Sequence, residues 1–330
     1  MRQTVSVLPW PQGRPHPTLH VALLLGSLLG CSARPPHEGQ HHEGQHQQAK
    51  PSVKRPLTLS AELTRRFDAQ LDQALQRNPQ LLLVGETHDH PLHHQLQALL
   101  IKRYRPKAVA FEMLNSSQQE AASTLFEHPP ERWAARLGWA ESGWPDFELY
   151  RPVFEAARDV GAVLIAAHPD RAQLQPLMLG QPLPQLLREA LKLDEPLPPE
   201  QQRELEAELT AAHCGYAPPE LLGPLVSAQR LKDAWIARSL LSSPQPAVLI
   251  VGRGHTQASR GVPWALERLS ESAPSWRVLS LSAETAGEER HNTTSFQVEA
   301  HRLDDPCERF KGQLEEMKRK HQPPHPSKSP

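Results

Sequence analysis

The chain has 330 residues, with 36 Lys+Arg against 37 Asp+Glu and a formal net charge of −1. That length holds one large domain or two modest ones, and the balanced charge, with no basic stripe interleaved with aromatics, excludes a nucleic-acid surface. Of the 34 prolines, 13 sit in residues 1–56 and 286–330, which predicts disordered flanks around a smaller folded body.

Residues 1–30 have the form of a targeting segment. Arg2 and Arg14 supply positive charge ahead of an apolar stretch over residues 21–30, which is too short to span a bilayer as a helix. The stretch ends Leu28-Leu29-Gly30-Cys31. Two apolar residues, a small one and a cysteine resemble the lipobox of bacterial lipoproteins, in which the signal peptide is removed and the cysteine is acylated. The alternative is an ordinary secretory signal in which Cys31 is incidental. Ser32 stands where an aspartate would retain an enterobacterial lipoprotein on the inner membrane, so the corollary is an outer-membrane anchor facing the periplasm.

Residues 31–56 read as a tether. They contain His37-Glu38-Gly39-Gln40 and again His42-Glu43-Gly44-Gln45, flanked by His41 and His46. Histidine-rich tracts can bind metal. The plainer reading is a solvated spacer that holds the domain off the membrane, and it is preferred.

The folded body is expected over residues 57–285. Ser60 is placed to cap a helix running to Arg77, with Leu63, Phe67, Leu71 and Leu75 on one face. A short apolar run over residues 81–84 predicts a strand. Pro91 suits the first turn of the next helix, and a strand follows at residues 108–111. Strand, helix and strand at this spacing predict a right-handed βαβ unit. Helices are expected at residues 116–127 and 131–137, and another opens at Tyr150-Arg151-Pro152. A strand is expected at residues 162–167. From 169 to 219 the strand signal stops, and helices at 183–193 and 199–210 suggest a small helical subdomain. A long helix over 221–241, a strand at 247–251, a helix at 263–269 and a strand at 277–281 complete the pattern. The expected class is α/β, a mainly parallel sheet with helices on both faces. Residues 286–330 read as a polar, partly disordered extension, with a helix at 307–320.

Once Cys31 is lipidated, Cys214 and Cys307 remain. In an oxidising compartment they can form a disulfide that ties the C-terminal segment to the body. The alternative is two free thiols.

Two motifs carry the chemistry. Gly85-Glu86-Thr87-His88 follows the run at 81–84, and Gly252-Arg253-Gly254-His255 follows the run at 247–251. Each run is continuous rather than alternating, as buried parallel strands are. Ligands of open α/β sheets bind beyond the carboxyl ends of the strands. A third run, 109–111, ends in Glu112, and a charge abutting a core strand is costly unless it is paired or binds something. Glu86, His88, Glu112 and His255 are therefore candidate catalytic residues, either as metal ligands or as a general-base cluster. His93 and His94 lie in the first turn of the following helix, whose N-terminus favours ligand carboxylates; solvated surface positions are the alternative. Gln229 and Asp233 are four apart, with Arg230 between them, and share a face directed at the rim or at a surface salt-bridge network.

These residues also carry a resemblance. Gly85-Glu86-Thr87-His88-Asp89 with His93-His94-Gln95, then Phe111-Glu112-Met113, then Trp144 with Tyr150 and Pro152, then Gln229-Arg230 with Lys232-Asp233-Ala234, then Gly252 with Gly254-His255, occur in order between residues 57 and 281. The set resembles the ChaN family of haem-binding lipoproteins, within the Tiki and erythromycin-esterase-like superfamily. The resemblance implies a parallel sheet with a small helical subdomain, haem as the bound group, and a role in haem or iron uptake. It also implies a homodimer holding haem groups face to face with a tyrosine ligand, and an outer-membrane haem or iron receptor as partner. Of the three tyrosines, Tyr104 follows a helix stripe and reads as core, which leaves Tyr150 and Tyr216 as ligand candidates. His88, His93 and His255 are further cofactor candidates. Met113 and Met178 can line a haem face, though core filling is the plainer reading. Other branches of the superfamily imply a metal-dependent hydrolase, with manganese, zinc or cobalt on Glu86, His88, Glu112 and His255. A purely structural lipoprotein is argued against by the cluster at the strand exits.

Overall fold

The computed structural model describes residues 59–282, 292–299, 306–309, 311, 312 and 315. Cys31 with its lipobox, the histidine-rich tether and most of the C-terminal extension lie outside the described residues.

Ser60 caps α1 (Ala61–Ala74), its hydroxyl accepting the Leu63 N–H. β1 (Leu81–Glu86) is buried along its whole length. Pro91 opens α2 (Pro91–Tyr104), where its missing N–H would have had no helical partner. β2 (Ala108–Asn115) follows. The next stretch, expected as one helix, breaks into 3-10 turns around α3 (Gln119–Ser123), and α4 (Trp133–Arg136) comes after it. α5 (Phe147–Asp159) starts upstream of Tyr150 because the Asp146 carboxylate caps it by accepting the Glu148 N–H. β3 (Val163–His168) leads into the strand-free stretch, which contains α6 (Arg171–Met178), α7 (Gln185–Ala190) and α8 (Pro199–Ala212). α9 (Pro219–Leu241) returns to the sheet, followed by β4 (Ala247–Gly252), α10 (Val262–Leu269), β5 (Trp276–Ser282), β6 (Thr293–Gln297) and α11 (Pro306–Arg309). No helix among the described residues is long and apolar enough to cross a membrane.

The six strands form one parallel sheet in the order β3-β2-β4-β1-β5-β6. β1 and β2 flank β4 instead of pairing with each other, so the crossover through α2 skips one strand position. β4 pairs with both in one register, Leu83 against Leu249 and Phe111 against Ile250. The carboxyl ends of β1, β4 and β2 therefore lie side by side. The chain order of the two glycine motifs and of Glu112 is converted by this topology into one shared rim.

Alternate residues of the central strands feed two cores, as strand geometry requires. Leu82, Val84, Phe111 and Ile250 pack with Phe67 and Leu71 of α1, Leu96 and Leu100 of α2, and Phe154 of α5. Leu81, Leu83, Leu249 and Val251 pack with Leu231 and Trp235 of α9, Leu266 of α10, and Leu187, Leu205 and Leu209 of the helical subdomain. Helices thus cover both faces, and each fully buried Leu, Ile or Phe contributes roughly 1.5–3 kcal/mol. Arg260 holds the subdomain to the sheet by binding Glu204 and Glu208 of α8. A disulfide joins Cys214, in the turn after α8, to Cys307 of α11.

Candidate functional site

β1 delivers Glu86 to the rim, and the turn that follows brings His88 back over it. The His88 Nδ1 donates to Glu86 Oε1 at 2.9 Å, and the Tyr150 hydroxyl of α5 donates to the same oxygen at 2.6 Å. Gln97 of α2 donates to Glu86 Oε2, and His94 Nδ1 lies 3.4 Å from that oxygen. His94 donates its Nε2–H to the His88 carbonyl at 2.9 Å, which fixes the turn.

β2 and β4 supply the second half. Glu112 Oε2 accepts the Gly252 N–H at 2.7 Å, and its Oε1 lies 3.1 Å from His255 Nε2. His255 Nδ1 donates to Asp233 Oδ1 of α9 at 2.6 Å, and the Gln229 amide lies 3.0 Å from the same nitrogen. His88 Nε2 stands 3.8 Å from Glu112 Oε2, which joins the halves as an ion pair. The result is an alternating chain of acid and base: Tyr150, Glu86, His88, Glu112, His255, Asp233. Glycine is required beside it, since a Cβ on Gly252 would lie 2.8 Å from His88 Nε2. Gly254 makes room for the subdomain instead, since a Cβ there would lie 2.6 Å from Glu208 Oε1.

The electrostatics follow from this pairing. Burial pushes the Glu86 carboxyl upward, but the charge of His94 and hydrogen bonds from His88 and His94 outweigh it and hold the group well below the usual range. Burial acts the same way on Glu112, where His255, His88 and the Gly252 N–H prevail and the group is lowered. Burial opposes the charge on His88, yet Glu86 and Glu112 raise it. His255 is pushed up to about 10, because Glu112 and Asp233 overcome its desolvation. For Asp233 burial wins and the carboxyl is raised. His88 is the most open member of the chain, with a side chain 17% exposed and its ring 4.8 Å from that of Trp144.

The structure brings together Glu86, His88, Glu112 and His255, and with them Gln229 and Asp233. It turns Arg230 away, toward the Glu195 carbonyl and the Trp264 ring. His93 is buried and stacked on His90 with ring centroids 4.1 Å apart. Its Nδ1 accepts the Thr87 N–H, and burial drives its pKa down to about 2. Met113 is core, and Met178 is half-buried at the end of α6. His168 went unnoticed in the sequence. It ends the β3 run just as His88 and His255 follow theirs, and its desolvated ring, with Lys232 nearby, has a pKa lowered to about 4.

The alternative expectation of a divalent metal on Glu86, His88, Glu112 and His255 finds no support in the geometry. Among the described residues, no group of three or more His, Cys, Asp or Glu is placed to hold a metal ion. These donors satisfy one another: the Glu86 oxygens take Tyr150, His88 and Gln97, while Glu112 takes Gly252 and His255.

The three tyrosines occupy unlike places. Tyr150 is fully buried. Tyr104 donates to the Pro79 carbonyl ahead of β1, and burial pushes its phenol up to about 12. Tyr216 is half-exposed, in the turn between α8 and α9, where it packs with Cys214 and Ala217 on Leu221.

A family described as haem-binding uptake, Tiki superfamily, ChaN matches residues 71–266. Among solved structures, the chain is similar to one of cofacial haem binding to ChaN of Campylobacter jejuni, with a TM-score of 0.55 and 22% identity over 70% of this chain and 88% of that one. It is also aligned with the type III effector HopBA1, at a TM-score of 0.32 and 14% identity over 76% of this chain and 99% of that one, a likeness too slight to carry an argument. No curated protein matches the chain.

Proposed function

The chain belongs to the ChaN family of haem-binding uptake proteins in the Tiki superfamily, and from that premise we propose that it is a lipoprotein that binds haem at the bacterial envelope and serves haem or iron uptake. Its Leu28-Leu29-Gly30-Cys31 lipobox supports lipid anchoring at Cys31.

The observation that carries the ligand assignment is the placement of Tyr216. A tyrosine phenolate suits ferric haem in a transport protein, because it is a hard anionic donor, and it must reach the iron from an apolar surface. Tyr216 is partly open and packs on Leu221, as Ala217 and Leu225 also do, outside the acid–base chain. Tyr150 is fully buried, and Tyr104 packs against the main core. Leu179 and Leu186 are exposed on the helical subdomain and offer further apolar surface. The residues present thus fit haem as cargo, with Tyr216 as its axial donor. The contacts of His88 with Glu86, of His93 with the Thr87 N–H and of His255 with Asp233 support reading these histidines as scaffold. The cofacial arrangement in the Campylobacter jejuni protein favours a homodimer with stacked haem groups in this chain as well.

The experiment is a haemin titration of the full chain, followed in the Soret region and by size-exclusion chromatography. Saturable binding with a split Soret band and a shift from monomer to dimer is the expected result. Haemin that partitions without saturation at any protein concentration would overturn the proposal.

A further inference from the structure

The turn that presents Tyr216 is built in an unusual way. α8 closes with two successive left-handed residues, Cys214 at φ +55° and Gly215 at φ +71°. Glycine adopts that conformation freely, whereas a residue bearing a side chain does so rarely. The Cys214 N–H reaches the Ala211 carbonyl at 2.9 Å, the Gly215 N–H reaches Thr210 at 3.0 Å, and the Tyr216 N–H reaches His213 at 2.9 Å. These bonds fix the direction in which the chain leaves α8 and so set where Tyr216 stands. The residue in the disfavoured conformation is also the one joined to Cys307, across 93 residues of sequence. Cys214 and Tyr216 pack on the same residue, Leu221. The body of α8 has a separate hold, since Arg260 binds Glu204 at 2.8 Å and Glu208 beside it. The disulfide is thus a second hold on the end of α8, separate from the ion pairs at its middle.

We propose that Cys214 and Cys307 are positioning residues for Tyr216, so that reduction of their disulfide weakens haem binding. This rests on the reading of Tyr216 as the haem ligand. Cys214 and Cys307 are both partly exposed, which leaves the bond open to attack by a thiolate. The reductant is a dithiol. One of its thiolates attacks one protein sulfur and breaks the Cys214–Cys307 bond, and its second thiolate then releases the mixed disulfide. The dithiol gives up two electrons and two protons and becomes a disulfide, while Cys214 and Cys307 become thiols. The turn then relaxes from the left-handed conformation, and Tyr216 loses its fixed direction.

The test titrates haemin into the full oxidised chain, into the same chain reduced with a dithiol and desalted anaerobically, and into the Cys214→Ser/Cys307→Ser variant. Tyr216→Phe in the oxidised chain is run beside them. The expected result is binding weaker by about tenfold or more in the reduced chain and the double variant. Their tyrosinate-type spectrum should be lost, and both properties should return when the reduced chain is reoxidised. Circular dichroism identifies a double variant that fails to fold, in which case the reduction and reoxidation cycle decides. Equal affinity and spectrum in oxidised and reduced chains, with the spectrum lost in Tyr216→Phe, would overturn the coupling and leave the ligand assignment standing. A spectrum unchanged in Tyr216→Phe would overturn both.

Discussion

The Tyr150 hydroxyl donates to Glu86 Oε1 at 2.6 Å, joining the first turn of α5 to the carboxyl end of β1 across 64 residues of sequence. Both groups are buried, and the carboxylate is charged. Removing the donor leaves one Glu86 oxygen with less compensation for its lost water. Tyr150→Phe is therefore expected to destabilise the fold by about 1.5–3 kcal/mol, the range for a hydrogen bond to a charged group. Urea unfolding of the two proteins, compared at equal slope, measures the difference.

The acid–base chain also sets a pH dependence. Glu86 and Glu112 have folded pKa values below their ordinary 4.5, so they add stability that is fully present above about pH 4.5 and is lost as pH falls. His255 is raised from 6.5 to about 10, so its contribution is complete below pH 6.5 and is lost as pH climbs toward 10. The buried His93 and His168, lowered from 6.5 to about 2 and about 4, add stability that is present above pH 6.5 and lost as pH falls, so stability should peak at about pH 6.5 and decline on both sides. His255→Gln should flatten the alkaline decline selectively. Denaturant midpoints measured from pH 3 to 10 test both statements, and an alkaline limb that persists in the variant would assign it to other groups.

Gly252 marks the tightest place in the site. A methyl group there would lie 2.8 Å from His88 Nε2, and that ring is held in place by Glu86. Gly252→Ala should cost about 1–3 kcal/mol by overpacking and move His88 away from Glu112. Calorimetry reads the first effect, and the imidazole resonances of His88 read the second.

If Cys31 carries the lipid, Cys31→Ala should move the protein from the membrane fraction to the soluble periplasmic fraction and abolish acyl labelling. Membrane association that survives the substitution would point to a different anchor.

Much of the fold was legible because the central strands are uninterrupted apolar runs and the helices start at Ser60 and Pro91. What escaped notice has a physical cause in each instance. β6 reads Thr-Thr-Ser-Phe-Gln, an edge strand with one large apolar residue, Phe296, and its pattern is too polar to announce itself. α5 began early because a side chain, Asp146, started it, whereas the Tyr150-Arg151-Pro152 signal sits inside the helix. The convergence of Glu86, His88, Glu112 and His255 was legible from their positions at strand exits. Their mutual saturation was not, because it depends on the sheet order that sets β4 between β1 and β2. The roles of Gln97 and Tyr150 also come from tertiary packing, since each reaches Glu86 from a helix on one face of the sheet.

The central claim is tested most directly by comparing the ferric haem spectra of Tyr216→Phe and Tyr150→Phe with that of the parent chain under saturating haemin. The account predicts that Tyr216→Phe loses the tyrosinate-type spectrum and most of its affinity, while Tyr150→Phe keeps both and loses only stability. A parent-like spectrum in Tyr216→Phe, with the loss appearing in Tyr150→Phe, would contradict it.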